Sequence, residues 1–508
     1  MSSRVLLGID LGTSSVKSVV IEPGGKVMGL AAREYPVAMP QAGWAEQDPE
    51  TWAAAALESA REAINRAGVL PAGVAAIGLS GQMHGTVCLD AAGAPLRPAI
   101  IWADQRSVAQ VARVYREIGA ERLGAWTCNP LATGFMLASW LWLIENEPEI
   151  AWKTATLLLP KDYLRYRMTG ALGTEPSDAS STLLFDTAQR DWSRELLNAL
   201  GIAEGLLPPV GESAQIAGRL ASEAATAMGL SEGTPVVFGG SDQALQAVGH
   251  GVIAPGVISS TVGTGGQLFA PLAQPAYDWG LRLHLFCHAA PGLWHLEAAI
   301  LSAGLSLRWL RDNVFMDMDY QQIADLAAAA PPGAEGLYFL PHLAGERTPH
   351  MDPDATGAFI GLTLRHTRAH MARAVMEGVI FAMRQGLDLM VGLGAPAERI
   401  VASGGASAHP LWLQLQADIY GRPIYRTQTV EASAYGAALL AGVGAGVYHD
   451  LSDACARAVV WGDAVIAPDV ARAPLYDAAY RTFCGLYPAL SAARVPSGDR
   501  FPGLVRPG

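Results

Sequence analysis

A carboxylate at the end of an apolar strand, followed by a turn of small hydroxylic residues, is a pattern with chemistry in it. Residues 5–9 read as such a strand, and Asp10-Leu11-Gly12-Thr13-Ser14-Ser15 lead from it into a second apolar run at 16–21. A hairpin turn of Gly, Thr and Ser aims backbone N–H groups and hydroxyls at one spot, a concavity of the kind that holds phosphates. The plan recurs where the β-branched run 257–262 meets Gly263-Thr264-Gly265-Gly266 and then Gln267-Leu268-Phe269. Two such turns could grip a triphosphate from opposite sides, although each taken alone is also an ordinary glycine turn. Asp10 beside a phosphate cradle is electrostatically unfavourable unless a cation such as Mg2+ lies between them. Its alternative role is to cap the turn through an Asx hydrogen bond.

Three further clusters sit where strands end. Gly239-Gly240-Ser241-Asp242-Gln243 follows an apolar strand at 235–239. A carboxylate there can take a hydroxyl proton during phosphoryl transfer, or can cap a helix. Ser403-Gly404-Gly405-Ala406-Ser407 stands between a strand and a helix, where small residues let a flat or anionic group approach a helix start. Gly81-Gln82-Met83-His84-Gly85 gathers an amide, a thioether and an imidazole in one loop, a mixture suited to the hydroxyls and carbons of a sugar. His84 by itself also reads as a structural histidine. Trp102 and Asp104, after a strand at 99–102, offer an apolar wall and a hydroxyl acceptor.

The elements that must position these groups are those of an α/β protein. A chain of 508 residues with 51% hydrophobic content can build two substantial cores. The 16% charged fraction, with 55 Gly and 32 Pro, favours tight turns over coiled coils or helical arrays. Asp48-Pro49 starts a helix over 50–67, further strands fall at 75–79, 337–340 and 400–402, and helices at 367–391, 410–420 and 432–447. The repeated hairpin divides the chain into related halves, 1–249 and 250–508, and the tail after Pro496 reads as loose. A net charge of -12 without a basic run excludes a general grip on nucleic acid or on an anionic membrane. The uncharged stretches 123–144 and 243–277 are broken by Asn, Pro and Gly, so neither reads as a membrane span. The five cysteines are scattered and form no CxxC pair, and no signal peptide is read, which together point to a reducing cytoplasm.

Taken in order, several motifs resemble the FGGY carbohydrate kinases almost end to end. They are Gly8-Ile9-Asp10-Leu11-Gly12-Thr13-Ser14 with Lys17, Trp44-Ala45-Glu46-Gln47-Asp48-Pro49, the loop 81–85, Leu159-Pro160-Lys161-Asp162-Tyr163-Leu164, Gly345-Glu346-Arg347-Thr348-Pro349-His350 and the stretch 357–377. The resemblance implies two actin-like ATPase (ribonuclease H-like) α/β domains, with ATP and sugar meeting in an interdomain cleft. It implies that Asp242 is the catalytic base and that Asp10 organises Mg2+. It places Thr13, Lys17, Thr264 and Gly265 near phosphates, and Gly304, Gly404, Gly405 and Ala406 near the adenine nucleoside. Gln82, Met83, His84, Trp102, Asp104 and Gln243 would face the sugar.

The implied reaction is ATP-dependent transfer to a terminal hydroxyl of a ketopentose. Met83-His84 resembles the branch acting on D-xylulose at O5, where many members carry Asn directly after the base. Gln243 instead resembles the glycerol-kinase branch, which leaves another ketopentose, ketose or polyol open. An actin-like nucleotide switch that phosphorylates nothing is the other class, and a homodimer is left open. A second departure is Ala138-Ser139, which stand where the family's first signature has Pro-Lys.

Overall fold

The computed structural model describes residues 4–462 and 464–492, so the tail after Pro496 lies outside the described residues. The chain forms two compact units. The first takes the described residues through Pro255 together with Pro271–Leu296 and Thr427–Trp461; the second takes Gly256–Ala270, Glu297–Arg426 and the described residues from Gly462 onward. The expected division into 1–249 and 250–508 therefore does not describe the units as continuous segments, because two later segments return to the first unit.

The first unit is built on a seven-stranded mixed sheet. Val5–Leu11 and Ser15–Ile21 pair as the expected antiparallel hairpin, extended on one side by Val27–Glu34. On its other side Val5–Leu11 runs parallel to Val74–Gly81, which in turn neighbours Pro235–Val237 and Gly240–Ser241. The helix Pro49–Ala67 begins as expected: the Asp48 carboxylate accepts from Glu50 N at 3.1 Å, and Pro49 occupies the first turn. It buries Trp52, Ala56, Ala60 and Ile64 against the sheet at helical spacing. The helix Ala432–Gly444 covers the sheet at backbone distance, since a Cβ at Gly8 would collide with the Ala434 carbonyl oxygen. Its Ala and Gly residues are what permit that approach.

The second unit repeats the plan. Gly256–Val262 and Gly266–Leu272 form a hairpin, and the first of them runs parallel to Ala397–Ser403. The 25-residue helix Arg368–Gly392, started by Thr367, buries Ala374, Val375, Phe381 and Met390 in this unit. Each unit is thus an α/β layer structure around a mixed sheet. In each, an antiparallel hairpin lies beside a parallel strand that runs into a glycine-bearing loop. No helix among the described residues is long and apolar enough to cross a membrane.

Two buried histidines of the first unit make its stability sensitive to acid. His250 Nδ1 lies 2.6 Å from Thr427 Oγ1. His288 accepts from Ala290 N at Nδ1 (2.9 Å) and meets the Val252 carbonyl at Nε2 (3.0 Å), which is the bonding of a neutral ring. Burial pushes His250 down to about 4, and burial with His295 alongside pushes His288 down to about 3. Both folded values lie below the ordinary 6.5. As pH falls from about 6.5 towards 4, the unfolded chain therefore binds protons that the folded chain does not, and stability falls by about 1.4 kcal/mol per pH unit for each ring. Thermal unfolding is expected at lower temperature at about pH 5 than at pH 7, and His288→Gln is expected to flatten that dependence. A midpoint indifferent to pH across this window would contradict the assignment.

Candidate active site

The parallel strands of the first unit end together. Register pairs Asp10 with Ser80 and Leu11 with Gly81, and pairs Gly240 with Ser80 and Ser241 with Gly81. Asp10, the 82–85 loop and Asp242 are thereby carried to the carboxyl edge of one sheet, where α/β folds bind ligands. The Asp10 Oδ1 accepts from Ser80 Oγ at 2.7 Å. Lys17 stands opposite Asp10 in the hairpin and its Nζ pairs with Glu431 Oε2 at 2.7 Å. Burial raises the Asp10 carboxyl above its ordinary value; the Ser80 hydrogen bond and Lys17 oppose the rise, and Glu431 adds to it. Glu431 holds a left-handed backbone (φ 50°, ψ 61°) at the cap of the helix Ala432–Gly444, a strained position for a side chain of its size.

Asp242 is the first residue of the helix Asp242–Gly249, and Ser241 occupies the cap position. Asp242 thus stands one residue inside the cap position, and the Ser241 side chain makes no capping hydrogen bond. The Asp242 carbonyl accepts from Ser433 Oγ at 3.2 Å, and Ser241 N donates to Ser177 Oγ at 3.0 Å. In the adjoining loop His84 has φ 71°, a left-handed conformation imposed on a ring-bearing residue. Its Nδ1 lies 2.8 Å from the Ser181 carbonyl, which only a protonated Nδ1 can satisfy. A neutral His84 therefore presents an acceptor at Nε2. Met83 is buried beside it, and Gln243 is half-buried one residue beyond Asp242.

Three of the expected sugar-facing residues already have hydrogen-bond partners within the chain. The strand ends at Ile100, so Trp102 lies beyond it, 41% exposed, with Nε1 donating to Thr13 Oγ1 at 2.8 Å. Gln82 is buried and donates to Gln47 Oε1 at 3.0 Å, while Gln47 donates to the Thr13 carbonyl at 2.8 Å. Its amide thus ties the loop to the hairpin, and its buried Oε1 has no partner among the described residues. Asp104 is 1% exposed; its oxygens accept from Ala45 N (2.6 Å) and from Arg106 (2.8 Å). The carboxylate expected to accept a ligand hydroxyl is instead engaged by an internal guanidinium, which satisfies it without a ligand.

In the second unit, Thr264, Gly304, Gly405 and Ala406 line one cavity of about 370 Å3, a size suited to a nucleoside. Leu307, Ala324 and Trp412 supply apolar walls, with Arg308 and Gln321 as polar groups. The turn is pinned by Gly304 N to the Gly263 carbonyl and Leu305 N to the Thr264 carbonyl, each 2.9 Å. No atom lies within 4 Å of where a Cβ on Gly405 would stand, so that side of the cavity is open to a ligand. Gly265 and Gly404 flank lining residues in sequence. Arg308, Gln321 and Trp412 went unread because helix-borne residues far from a glycine motif carry no local mark of a binding face. Glu431 was equally silent, although its place directly before a small-residue helix is a signal that could have found it.

Among the described residues no group of three or more His, Cys, Asp or Glu side chains is placed to hold a metal. Asp10 nevertheless offers hard oxygen, and Mg2+ is commonly held by one or two carboxylates with phosphate oxygens and water completing its shell. The residues present fit that ion.

Residues 5–249 match the N-terminal domain, and residues 258–445 the C-terminal domain, of the FGGY family of carbohydrate kinases. The chain is 35% identical over 484 residues to a xylulose kinase of Bacillus subtilis (strain 168), covering 95% of this chain and 97% of that relative. Its fold superposes on the crystal structure of a xyloylose kinase from Brucella ovis with a TM-score of 0.90 and 35% identity, covering 97% of this chain and 100% of the other. A gluconate kinase from Lactobacillus acidophilus is similar at a TM-score of 0.91 and 29% identity, covering 96% and 99%.

Proposed function

Since this chain belongs to the FGGY family of carbohydrate kinases, and is thereby a phosphotransferase with an alcohol acceptor, we propose that it transfers the γ-phosphoryl group of ATP to O5 of D-xylulose. The products are ADP and D-xylulose 5-phosphate. The observation that carries this choice of sugar is the match to a xylulose kinase over nearly the whole of both chains. The open cavity around Gly405 suits the adenine nucleoside, and the five free cysteines suit a reducing cytoplasm.

The chemistry follows from charge. Asp242 accepts the hydroxyl proton as the sugar oxygen bonds to phosphorus, and the leaving diphosphate carries away the electron pair of the broken P–O bond. The N–H groups of Thr13 and Ser14, with Lys17, face the charge that gathers on phosphate oxygens, while Gly12 N closes the turn on the Ser15 carbonyl. Asp10 would hold Mg2+, which when bound neutralises charge on the phosphates. His84 Nε2 accepts from a sugar hydroxyl, its tautomer fixed by Ser181, while Met83 packs on carbon.

The test is a panel of ketoses, polyols and gluconate read by ADP release. D-xylulose is expected to give the highest kcat/KM, and His84→Ala to lower it by about 1 to 3 kcal/mol in transition-state terms, the cost of a lost buried hydrogen bond. Gln243→Asn is expected to retain D-xylulose and narrow the panel. Gluconate or glycerol exceeding D-xylulose by about tenfold, a gap of about 1.4 kcal/mol, with His84→Ala indifferent, would transfer the assignment to that acceptor.

A further inference from the structure

Three of the four charged residues of the helix Pro160–Thr169, Lys161, Asp162 and Arg165, turn inward, and only Arg167 faces solvent. Lys161, Asp162 and Arg165 are fully buried, as are Glu175 and Asp178 around the short helix Pro176–Ala179. Lys161 Nζ lies 2.6 Å from Asp162 Oδ1, 3.6 Å from Asp178 Oδ2 and 3.7 Å from Glu175 Oε1, and Arg165 reaches Asp162 Oδ1 at 2.7 Å. Replacing buried ion pairs by apolar residues is often neutral or stabilising. Stability is therefore a weak reason for such a group.

Its outward bonds give a better one. Ser177 Oγ donates to Glu175 Oε1 at 2.9 Å and accepts from Ser241 N at 3.0 Å, the residue directly before Asp242. Ser181 Oγ donates to Asp178 Oδ1 at 3.4 Å and accepts from His84 N at 3.3 Å, while the Ser181 carbonyl holds His84 Nδ1. One buried segment thus carries both the backbone that presents Asp242 and the ring of His84.

The group contains three acids against two bases, and an unpaired buried charge is strongly disfavoured. Asp162 receives close hydrogen bonds from both cations, and Glu175 accepts from Ser177 N, Asp178 N and Ser213 Oγ. Among the described residues, the Asp178 side chain has only the long bond from Ser181 and the more distant Lys161, while Asp162, Glu175 and Asp242 face it as like charges. Asp178 is therefore the member of the group best placed to hold a proton. Burial raises its carboxyl well above the ordinary range; Lys161 opposes the rise, and the three carboxylates add to it.

We propose that Lys161, Glu175 and Asp178 are positioning residues, a buried mount that fixes Asp242 and His84 relative to one another, with Asp178 serving as a neutral carboxylic acid. This rests on the reading of Asp242 as base and His84 as sugar contact.

The test uses Asp178→Asn, Asp178→Ala and Ser177→Ala in the full chain. Steady-state kinetics with D-xylulose and ATP would run from about pH 5 to 9, with the unfolding midpoint of each variant. Asn has the shape of the neutral acid, so it is expected to keep kcat/KM within about threefold and to leave the acid limb of kcat in place. Ala is expected to lower kcat/KM about tenfold or more, and Ser177→Ala to lower kcat while KM for the sugar stays within about twofold. Asn as costly as Ala, or an acid limb moved by about one pH unit, shows that Asp178 works as a charge and overturns the proposal. Ala and Ser177→Ala matching wild type overturn it as well. Should Asp178→Ala fail to fold, Asn and Ser177→Ala decide alone. Asp242→Asn run alongside separates the two readings. Normal turnover there removes the base, whereas an inactive Asp242→Asn with wild-type mount variants removes only the mount.

Discussion

Asp242→Asn is expected to leave the fold and ATP binding intact and to lower kcat at least about a hundredfold, with KM for the sugar little changed. The amide preserves size and polarity at the first turn of the helix Asp242–Gly249, where Asp242 lies one residue inside the cap position. The carbonyl that receives Ser433 Oγ is backbone and survives the substitution. Only the capacity to take a proton is removed, which is needed in the transition state and not for sugar binding. The measurement is ADP release under saturating substrates beside calorimetric titration with ATP. A well-folded Asn variant with turnover near wild type would take Asp242 out of the base role.

How much of this was legible depends on whether the sequence marks a residue locally. The hairpin 5–21 was readable because apolar runs flank a Gly-Thr-Ser turn, and the helix Pro49–Ala67 because Asp48-Pro49 announces its start. Thr264, Gly304, Gly405 and Ala406, expected through family resemblance, all line one cavity. The return of Thr427–Trp461 to the first unit was not legible. A helix of Ala, Gly and Leu has no side chain that names the sheet it covers. Its partner is declared only by Gly8 and Gly78, where a Cβ would strike the Ala434 and Ala437 carbonyls. Charged residues were silent about their partners. Lys161 is buried against Glu175 and Asp178, acids that follow no helical spacing from it. Asp104 stood where a ligand acceptor belongs and proved to be the partner of Arg106 two residues on, a pairing that periodicity does not show.

Asp10→Asn is expected to separate stability from catalysis at a second position. Asp10 has its folded value raised, chiefly by burial, so at neutral pH its charge is a cost to the folded state that a protonated or amide side chain does not bear. That contribution is fully present below the carboxyl's ordinary value and is lost as pH rises from there through the raised folded value, which leaves the charged form unfavourable at pH 7. Asn can still accept from Ser80 Oγ, now 2.7 Å from Oδ1, so the strand pairing with Val74–Gly81 has no reason to loosen. The unfolding midpoint at pH 7 is therefore expected to stay level or rise. Function moves the other way. The neutral amide is a poor anchor for Mg2+, so kcat is expected to fall on the order of a hundredfold and the Mg2+ concentration for half-maximal rate to climb. ATP titrated without metal is expected to bind as in wild type, because the hairpin N–H groups and Lys17 remain. A carboxylate kept at a cost to stability and needed only when the metal is present fits a functional site better than a turn cap. Loss of thermal stability with an unchanged Mg2+ titration would be the signature of the turn cap instead.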